Sequence, residues 1–276
     1  MTEFIGRYRI VRALGQGALG RVVAAIDESA DRLVAIKCLA LPTGDDGRVL
    51  AEARARFLAE AEATRTLQHP DIAAVLDAGE ARSQAWIVME LAPGVNLDRY
   101  ARPSRRLPEP VVLRIGQRLA AALAHAHRAG LIHRDIKPAN VIVDWASDSL
   151  KLTDFGLART IDAEATRSGL VLGSPAYLAP EQLGGAAADV RSDLYALGVL
   201  MFELLCGRRP FDAGTLGELL QQVAQAPVPD LRSLAPGLPP AAADLVTALL
   251  AKRASDRPAS AAEVLRALSA WVRPLE

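Results

Sequence analysis

The 276-residue sequence has few aromatic residues, few lysines, only two cysteines and no net charge. Aromatic residues make up 4% of the chain and hydrophobic residues 51%, so a core must be built mainly from Ala, Leu and Val. Because basic residues do not exceed acidic ones, the composition gives no sign of a nucleic-acid partner. Cys38 and Cys206 lie in apolar segments, which favours buried thiols in a reducing compartment over a disulfide.

Long apolar runs are also missing from this chain. No stretch approaches the roughly 18 apolar residues of a membrane-spanning helix. The first ten residues, MTEFIGRYRI, lack the apolar region of a signal peptide. We therefore expect no membrane contact within this chain.

Lysine is scarce among the basic residues. Only four of the 32 basic residues are Lys, at positions 37, 137, 151 and 252. Lys is a compact phosphate-binding charge that Arg does not replace. In a chain that uses Arg by default, each Lys therefore carries information about its site.

The order of sequence patterns predicts an α+β fold. Residues 8–40 indicate three antiparallel strands, and a helix over 49–67 precedes strands near 73–77 and 85–90. The later chain is typical of helices, interrupted by two strands, with residues 227–240 as a proline-rich loop. Ser192 is the expected cap of an apolar, buried helix that runs to Leu205. We expect a small sheet-rich lobe, a larger helical lobe and a ligand cleft between them.

The densest polar group is His133 to Asn140, HRDIKPAN, between an apolar helix and a short strand. Asp135 could take a proton from a hydroxyl, Lys137 could hold a phosphate, and Asn140 could bind a metal ion. Asp154 follows the next strand, 14 residues later. Asn140 and Asp154 would then come from neighbouring strand ends, where their oxygens could share Mg²⁺.

A second polar group lies in the strands near the N-terminus. Gly15, Gly17 and Gly20 could let backbone N–H groups approach a phosphate, although an ordinary glycine hairpin is the alternative. A strand follows these glycines, whereas a dinucleotide-binding loop would open a helix. Lys37, in an apolar strand, needs an anion or must extend to solvent. Glu60 or Glu62 could be its partner, and both could equally lie on a solvated helix face.

Taken in order, the segments GQGALGRV, VAIK, HRDIKPAN, DFG and APE (179–181) resemble the eukaryotic-type protein kinase family, and most of all bacterial serine/threonine kinases. The resemblance runs from about Tyr8 to Trp271. It implies a kinase domain over residues 1–276 with a bilobal fold: an antiparallel-sheet N-lobe with one helix (8–91) and a mainly helical C-lobe (92–273). The implied reaction transfers the γ-phosphoryl group of ATP to Ser or Thr hydroxyls of proteins, with Mg²⁺, or alternatively Mn²⁺.

The resemblance also implies a role for each site residue. Lys37 would contact the α and β phosphates, with Glu60 as its partner. Asp135 would orient the substrate hydroxyl, and Lys137 would steady the γ-phosphate. Asn140 and Asp154 would bind the metal. The nucleotide pocket would be completed by Leu14, Gly15, Gly17, Gly20, Val22, Ala35, the gatekeeper Met89, the hinge from Glu90 to Ala92, and Ile142.

Other matching residues are expected to maintain the fold. Glu181 would pair with Arg257, and Asp193 would hold the backbone of the HRD segment. His133 would pack beneath Phe155 and take no direct part in the chemistry.

The segment from 162 to 172 contains only two hydroxyl residues, Thr166 and Ser168. Arg134 precedes the catalytic Asp, the arrangement by which phosphorylation orders an activation loop. Autophosphorylation of Thr166 or Ser168, within a dimer, is therefore expected. The segment IKPAN (136–140) and Ser174 resemble the pattern that Ser/Thr kinases have at these positions.

Three function classes remain open at this point. An active protein kinase retains Lys37, Asp135, Asn140 and Asp154, whereas a scaffolding pseudokinase would have lost one of them. A small-molecule kinase would not need the APE segment, which builds a peptide-docking surface in the family. The expected location is the cytoplasm, either for the chain itself or for the cytoplasmic domain of a membrane-anchored receptor kinase.

Overall fold

The computed structural model describes residues 3–17, 20–40, 47–81, 84–155 and 175–272. These residues fall into two compact units, one up to Pro93 and the other from Gly94 onwards.

The first unit is an antiparallel sheet with one helix. Its six strands have the order β1-β2-β3-β4-β6-β5. Their bounds are Phe4–Ile5 (β1), Tyr8–Gly17 (β2), Gly20–Asp27 (β3), Arg32–Ala40 (β4), Val75–Ala81 (β5) and Gln84–Glu90 (β6). The helix α1 spans Gly47–Arg65. This confirms the predicted sheet-rich first part with a single long helix between its strands.

Strand β4 presents its side chains alternately to the two faces of this sheet. Ile36 and Cys38 belong to one apolar cluster, whereas Leu39 packs with Phe57 of α1 in another. Lys37 lies opposite Ile87 of β6, which belongs to the same cluster as Leu39. Since side chains alternate along a strand, Lys37 is on the face of the sheet that α1 covers.

The second unit is mainly helical and carries a small three-stranded sheet of order β7-β8-β9. The strands are Val95–Asn96 (β7), Val141–Asp144 (β8) and Ser149–Leu152 (β9). The helices are Glu109–Arg128 (α2), Pro180–Leu183 (α3), Val190–Cys206 (α4), Leu216–Gln225 (α5), Leu231–Leu234 (α6), Pro240–Leu249 (α7) and Ala261–Ser269 (α8).

Helix α4 forms the centre of this unit, and all of its residues from Ser192 to Cys206 are buried. Glycines allow its neighbours to approach closely. A Cβ added to Gly198 would lie 2.7 Å from the Cβ of Leu249 in α7. One added to Gly116 of α2 would lie 2.7 Å from Met201. The predicted burial of this apolar helix is confirmed.

The start of α4 corrects one prediction. Asp189, and not Ser192, is the N-cap: its carboxylate accepts the N–H of Arg191 at 2.8 Å and that of Ser192 at 3.1 Å. The Ser192 hydroxyl accepts the N–H of Asp189 at 3.2 Å. A carboxylate three positions earlier satisfies two helix N–H groups, so Ser192 becomes the third helical residue of a capping box.

Three helices, α3, α5 and α6, were also not predicted. Helix α5 begins after Thr215, whose side chain accepts the N–H of Glu218 at 3.3 Å. Helix α6 lies within the predicted proline-rich loop and is capped by Asp230.

Cys38 and Cys206 are both buried and free, as predicted. Within the described residues, no helix is long and apolar enough to cross a membrane.

Candidate active site

Helix α4 anchors the segment His133–Asn140 through hydrogen bonds to Asp193. The carboxylate of Asp193 accepts the backbone N–H groups of His133 and Arg134, both at 2.8 Å, and contacts Nε2 of His127 at 2.9 Å. Asp193 is only 1% exposed. Arg134 has a positive φ of 68°, a backbone conformation that residues other than Gly rarely adopt. The predicted role of Asp193 as the anchor of this backbone is confirmed.

His133 packs against Phe155, as predicted. Its Nδ1 accepts the N–H of Asp135 at 3.2 Å, so Nε2 carries the proton and donates to the carbonyl of Thr153 at 2.9 Å. The imidazole lies 4.4 Å from the ring of Phe155. Complete burial lowers the pKa of His133 and so favours the neutral ring, and the two hydrogen bonds define its tautomer.

Asp135, Lys137 and Asn140 form one hydrogen-bonded cluster. Nζ of Lys137 donates to both carboxylate oxygens of Asp135, at 2.9 and 2.7 Å. Nδ2 of Asn140 donates to Oδ2 of Asp135 at 2.8 Å and to its backbone carbonyl at 2.7 Å. The Asp135 side chain remains 24% exposed. A carboxylate has about four acceptor positions, so Asp135 can still accept a hydrogen bond from an incoming hydroxyl.

Asn140 and Asp154 are brought together through Thr153. The N–H and the hydroxyl of Thr153 donate to the carbonyl of Asn140, at 2.9 and 3.1 Å. Asp154 follows directly, with a positive φ of 63°. Because Asp135 takes the NH₂ end of the Asn140 side chain, the amide oxygen is what Asn140 can offer to a cation.

This donor set fits a nucleotide-bound metal ion. Asn140 and Asp154 would supply two oxygens, and the described residues contain no cluster of three or more His, Cys, Asp or Glu that could hold a metal. Mg²⁺ is commonly bound through one or two carboxylates together with substrate phosphates and water. Two protein oxygens therefore suit Mg²⁺ carried by a phosphate chain better than a dedicated metal cage.

In the first unit, the glycines of the GQGALG segment lie where β2 and β3 meet. Gly17 pairs with Gly20, whose φ is 139°. A Cβ added to Gly15 would meet nothing within 4 Å. By contrast, one added to Gly79 would lie 2.7 Å from the Trp86 ring. Packing within the protein thus does not require a glycine at position 15. The space beside Gly15 is open and could hold a ligand.

Two apolar residues that were expected to line the nucleotide pocket flank Gly15. Leu14 precedes it and is 38% exposed. Val22 lies directly opposite Gly15 on β3 and is half-buried. Both therefore present apolar surface beside the glycines.

Glu60 and Glu62, the two candidate partners of Lys37, differ in their burial. Lys37 is half-buried and lies on the α1 face of the sheet. Glu60 is half-buried, next to the sheet-facing Ala61 and one turn after Phe57. Glu62 is 74% exposed and pairs with Arg65 at 3.7 Å. Glu60 is therefore the better candidate, and its pairing with Lys37 stays a prediction.

The residues expected around an adenine ring lie mostly in β4 and β6. Ala35 and Met89 are opposite each other and buried, at 8% and 6% exposure. Glu90 ends β6, and Ala92 follows it as a half-buried residue outside the strands. In the second unit, Ile142 is half-buried on β8. Their contact with a nucleotide stays a prediction.

Several predicted residues lie outside the described part of the chain. These are Leu19, Gly156, Thr166, Ser168 and Ser174. Their predicted roles are therefore not assessed by the structure.

A buried ion pair confirms the expected link between Glu181 and Arg257. The guanidinium donates to both carboxylate oxygens, at 2.8 and 2.7 Å, and the Arg257 side chain is 0% exposed. The hydroxyl of Ser192 also donates to Glu181, at 2.9 Å. Burial alone would raise the pKa of Glu181, but the hydrogen bonds from Arg257 and Ser192 outweigh it and lower that pKa.

Sequence reasoning missed one pair next to the APE segment. Tyr177 donates its hydroxyl hydrogen bond to the carboxylate of Glu203 in α4. Glu203 is 8% exposed, and burial raises its pKa. The signal was present, because a lone carboxylate in the apolar run MFELLC must find a partner when it is buried.

The chain is similar to known protein kinases. The protein kinase domain family model matches residues 8–268. The serine/threonine-protein kinase PrkC of Bacillus subtilis is 37% identical over 90% of this chain and 38% of its own length. The probable serine/threonine-protein kinase PknB of Lactococcus lactis is 38% identical over 92% of this chain and 40% of its own length. This chain thus spans about two fifths of the length of these curated relatives.

A solved structure agrees with these relatives. The kinase domain of Mycobacterium tuberculosis PknI matches with a TM-score of 0.76 and 32% identity, over 98% of both chains. This likeness confirms the predicted protein kinase fold. Family membership implies the general use of ATP, a divalent metal and protein substrates. From the family match, the relatives and the fold together, the chain belongs to the protein kinase family, as a domain of the bacterial serine/threonine type.

Proposed function

We propose that this domain transfers the γ-phosphoryl group of ATP to Ser or Thr hydroxyls of proteins. The observation that carries this proposal is the Asp135 cluster. Its carboxylate is fixed by Lys137 and Asn140 at 2.7–2.9 Å and yet remains partly exposed. A positioned carboxylate of this kind can orient a hydroxyl and accept its proton.

The polar residues would bind different parts of the metal–nucleotide complex. Lys37 and Lys137 place positive charge on phosphate oxygens, and Asn140 and Asp154 would hold Mg²⁺, with Mn²⁺ as the alternative. The metal, when bound, neutralises charge that develops on the transferring phosphoryl group. The open space at Gly15 suits close approach of backbone N–H groups to the phosphates.

The two alternative classes make different predictions. A pseudokinase scaffold would need a defect in this set, whereas Lys37, Asp135, Asn140 and Asp154 are all present. A small-molecule kinase would have no use for the APE segment, which the Glu181–Arg257 pair secures here.

Incubation with γ-labelled ATP and Mg²⁺ separates the three classes. Label transfer to the protein itself or to a generic protein substrate supports the proposal. ATP turnover only with a small acceptor would indicate a small-molecule kinase, and no turnover would indicate a pseudokinase. Asp148→Asn, which changes an exposed carboxylate in a turn, is a control that should leave transfer unchanged.

Autophosphorylation of Thr166 or Ser168, within a transient dimer, is the finer part of the proposal. It is supported by the position of these hydroxyls after the DFG segment and by Arg134 beside the catalytic Asp. A cytoplasmic location accords with two buried, free thiols. Mass spectrometry of active protein tests the first point, and finding both residues unmodified would reject it.

A further inference from the structure

Four exposed arginines of the second unit lie in two segments: Arg102, Arg105 and Arg106 before α2, and Arg208 after α4. We call them the arginine patch. Among the described residues, none of the four forms an ion pair with a carboxylate, whereas the neighbouring Arg209 pairs with Asp212 at 2.7 Å. Four arginines without an ion-pair partner are notable here, because the chain as a whole has a net charge of 0.

The two segments that carry the patch are in direct contact. A Cβ added to Gly207 would lie 2.5 Å from the backbone nitrogen of Pro103 and 2.7 Å from the carbonyl carbon of Arg102. Nη1 of Arg106 donates to the carbonyl of Leu205 at 3.4 Å. Residues about a hundred positions apart in sequence therefore form one positive surface.

The patch adjoins the catalytic segment, because the 3-10 helix Leu97–Tyr100, which precedes Arg102, packs against the 3-10 helix Pro138–Asn140. Partial desolvation raises the pKa of Asp98, whereas the positive charges of Lys137 and Arg102 act in the opposite direction. The charges of the catalytic lysine and of one patch arginine therefore act on the same carboxylate. Asp98 also acts on the pKa of Tyr177, which lies two residues before the APE segment.

A surface with an excess of positive charge beside a phosphoryl-transfer centre attracts anionic chains and orients them on arrival. Asp135 would bind the acceptor hydroxyl itself, and residues flanking that hydroxyl would cross the surface around Pro138–Asn140, which the segment before Arg102 contacts. Guanidinium groups pair well with the carboxylates of Asp and Glu.

We propose that the arginine patch recognises acidic residues flanking the phospho-acceptor, so that preferred substrates are Ser- or Thr-containing segments rich in Asp and Glu. This inference rests on the proposed function and specifies its substrate class.

The test uses three peptides that share one Ser acceptor: one neutral, one with Glu residues before the acceptor and one with Glu residues after it. The variant Arg102→Glu/Arg208→Glu reverses two charges of the patch. Arg266→Glu is the matched control, since Arg266 is exposed on α8. Exposed ion pairs change affinity by a factor of about two to five each. For the double variant, KM for the preferred acidic peptide should therefore rise about tenfold, while its kcat and its KM for the neutral peptide remain unchanged.

Two further measurements support the inference when they succeed. A peptide with Lys in place of Glu should be used better by the double variant than by the original protein. Higher salt should weaken the preference for acidic peptides.

Equal KM values for all three peptides, or an equal effect of Arg266→Glu, would overturn the inference. So would patch-dependent binding to phosphatidylserine vesicles without any peptide preference. Failure of the proposed function looks different, because the original protein would then phosphorylate none of the peptides. Fluorescence anisotropy of labelled peptides without ATP still decides the inference in that case: patch-dependent binding of the acidic peptides supports it, and equal binding overturns it.

Discussion

Asp193→Asn changes one atom of the buried carboxylate that holds the catalytic segment. One carboxylate oxygen accepts the N–H of Arg134, and the other accepts that of His133 and contacts His127. An Asn side chain has one oxygen and one NH₂ group. The NH₂ group would fit best at the oxygen that faces only Arg134, where it opposes a buried N–H donor.

The cost of this change follows from the contacts that are lost. One hydrogen bond to a charged group contributes about 1.5–3 kcal/mol, and an unsatisfied buried donor costs about 1–3 kcal/mol. We expect Asp193→Asn to lower the free energy of unfolding by about 2–4 kcal/mol. Arg134, at a φ of 68°, would then lose the contact that stabilises its unfavourable backbone conformation. Its relaxation would move Asp135, so kcat should fall even where the protein remains folded.

Urea unfolding gives the stability change, and phosphoryl transfer at saturating ATP gives kcat. Asp244→Asn is the matched control, because it makes the same change at an exposed ion pair with Arg232 and should cost less than about 1 kcal/mol. An Asp193→Asn variant as stable and as active as the original protein would refute the anchoring role.

Four further outcomes are expected. Glu181→Gln leaves the buried Arg257 charge uncompensated and should destabilise the protein by about 3–5 kcal/mol in urea unfolding. Because the pKa of Glu181 is lowered in the folded state, its stabilising contribution should be complete above pH 4.5, its ordinary value, and be lost as pH falls further. The pKa of His133 is also lowered, so its NMR shifts should not titrate near pH 6.5, and its effect on stability should appear only as pH falls below that value. Gly15→Ala should leave stability within about 0.5 kcal/mol and raise KM for ATP, whereas Gly79→Ala should destabilise by about 1–3 kcal/mol through its clash with an indole ring.

Three results would contradict these expectations. A cost under about 1 kcal/mol for Glu181→Gln would make the pair no more than a surface contact. Titration of His133 near pH 6.5 would show that its ring is open to water. An unchanged KM for ATP in Gly15→Ala would remove the glycine from the phosphate site.

Local patterns in the sequence predicted much of the fold and of the catalytic loop. The antiparallel meander β2-β3-β4, the long helix α1 and the neighbourhood of Asp135, Lys137 and Asn140 depend on short-range spacing, which a sequence displays directly. The start of α4 was misplaced because Asp189 and Ser192, three residues apart, are both good caps. Helix α5 was missed although Thr215 and Glu218 form a capping-box pattern.

Contacts between distant segments could not be predicted from residue patterns alone. The arginine patch exists only because Gly207 brings the end of α4 against Pro103. Likewise, the choice between Glu60 and Glu62 depended on which face of α1 meets the sheet, and α1 has no clear apolar periodicity to show it. Three-dimensional packing decides such cases.

The most direct test of the central claim is single-turnover transfer from γ-labelled ATP and Mg²⁺ to a protein Ser or Thr, comparing the original protein with Asp135→Asn. General-base and orienting groups contribute about 10²–10⁴-fold to rate. The account therefore predicts a loss of transfer in that range, with ATP affinity and thermal unfolding little changed. Transfer by Asp135→Asn at nearly the original rate would contradict it.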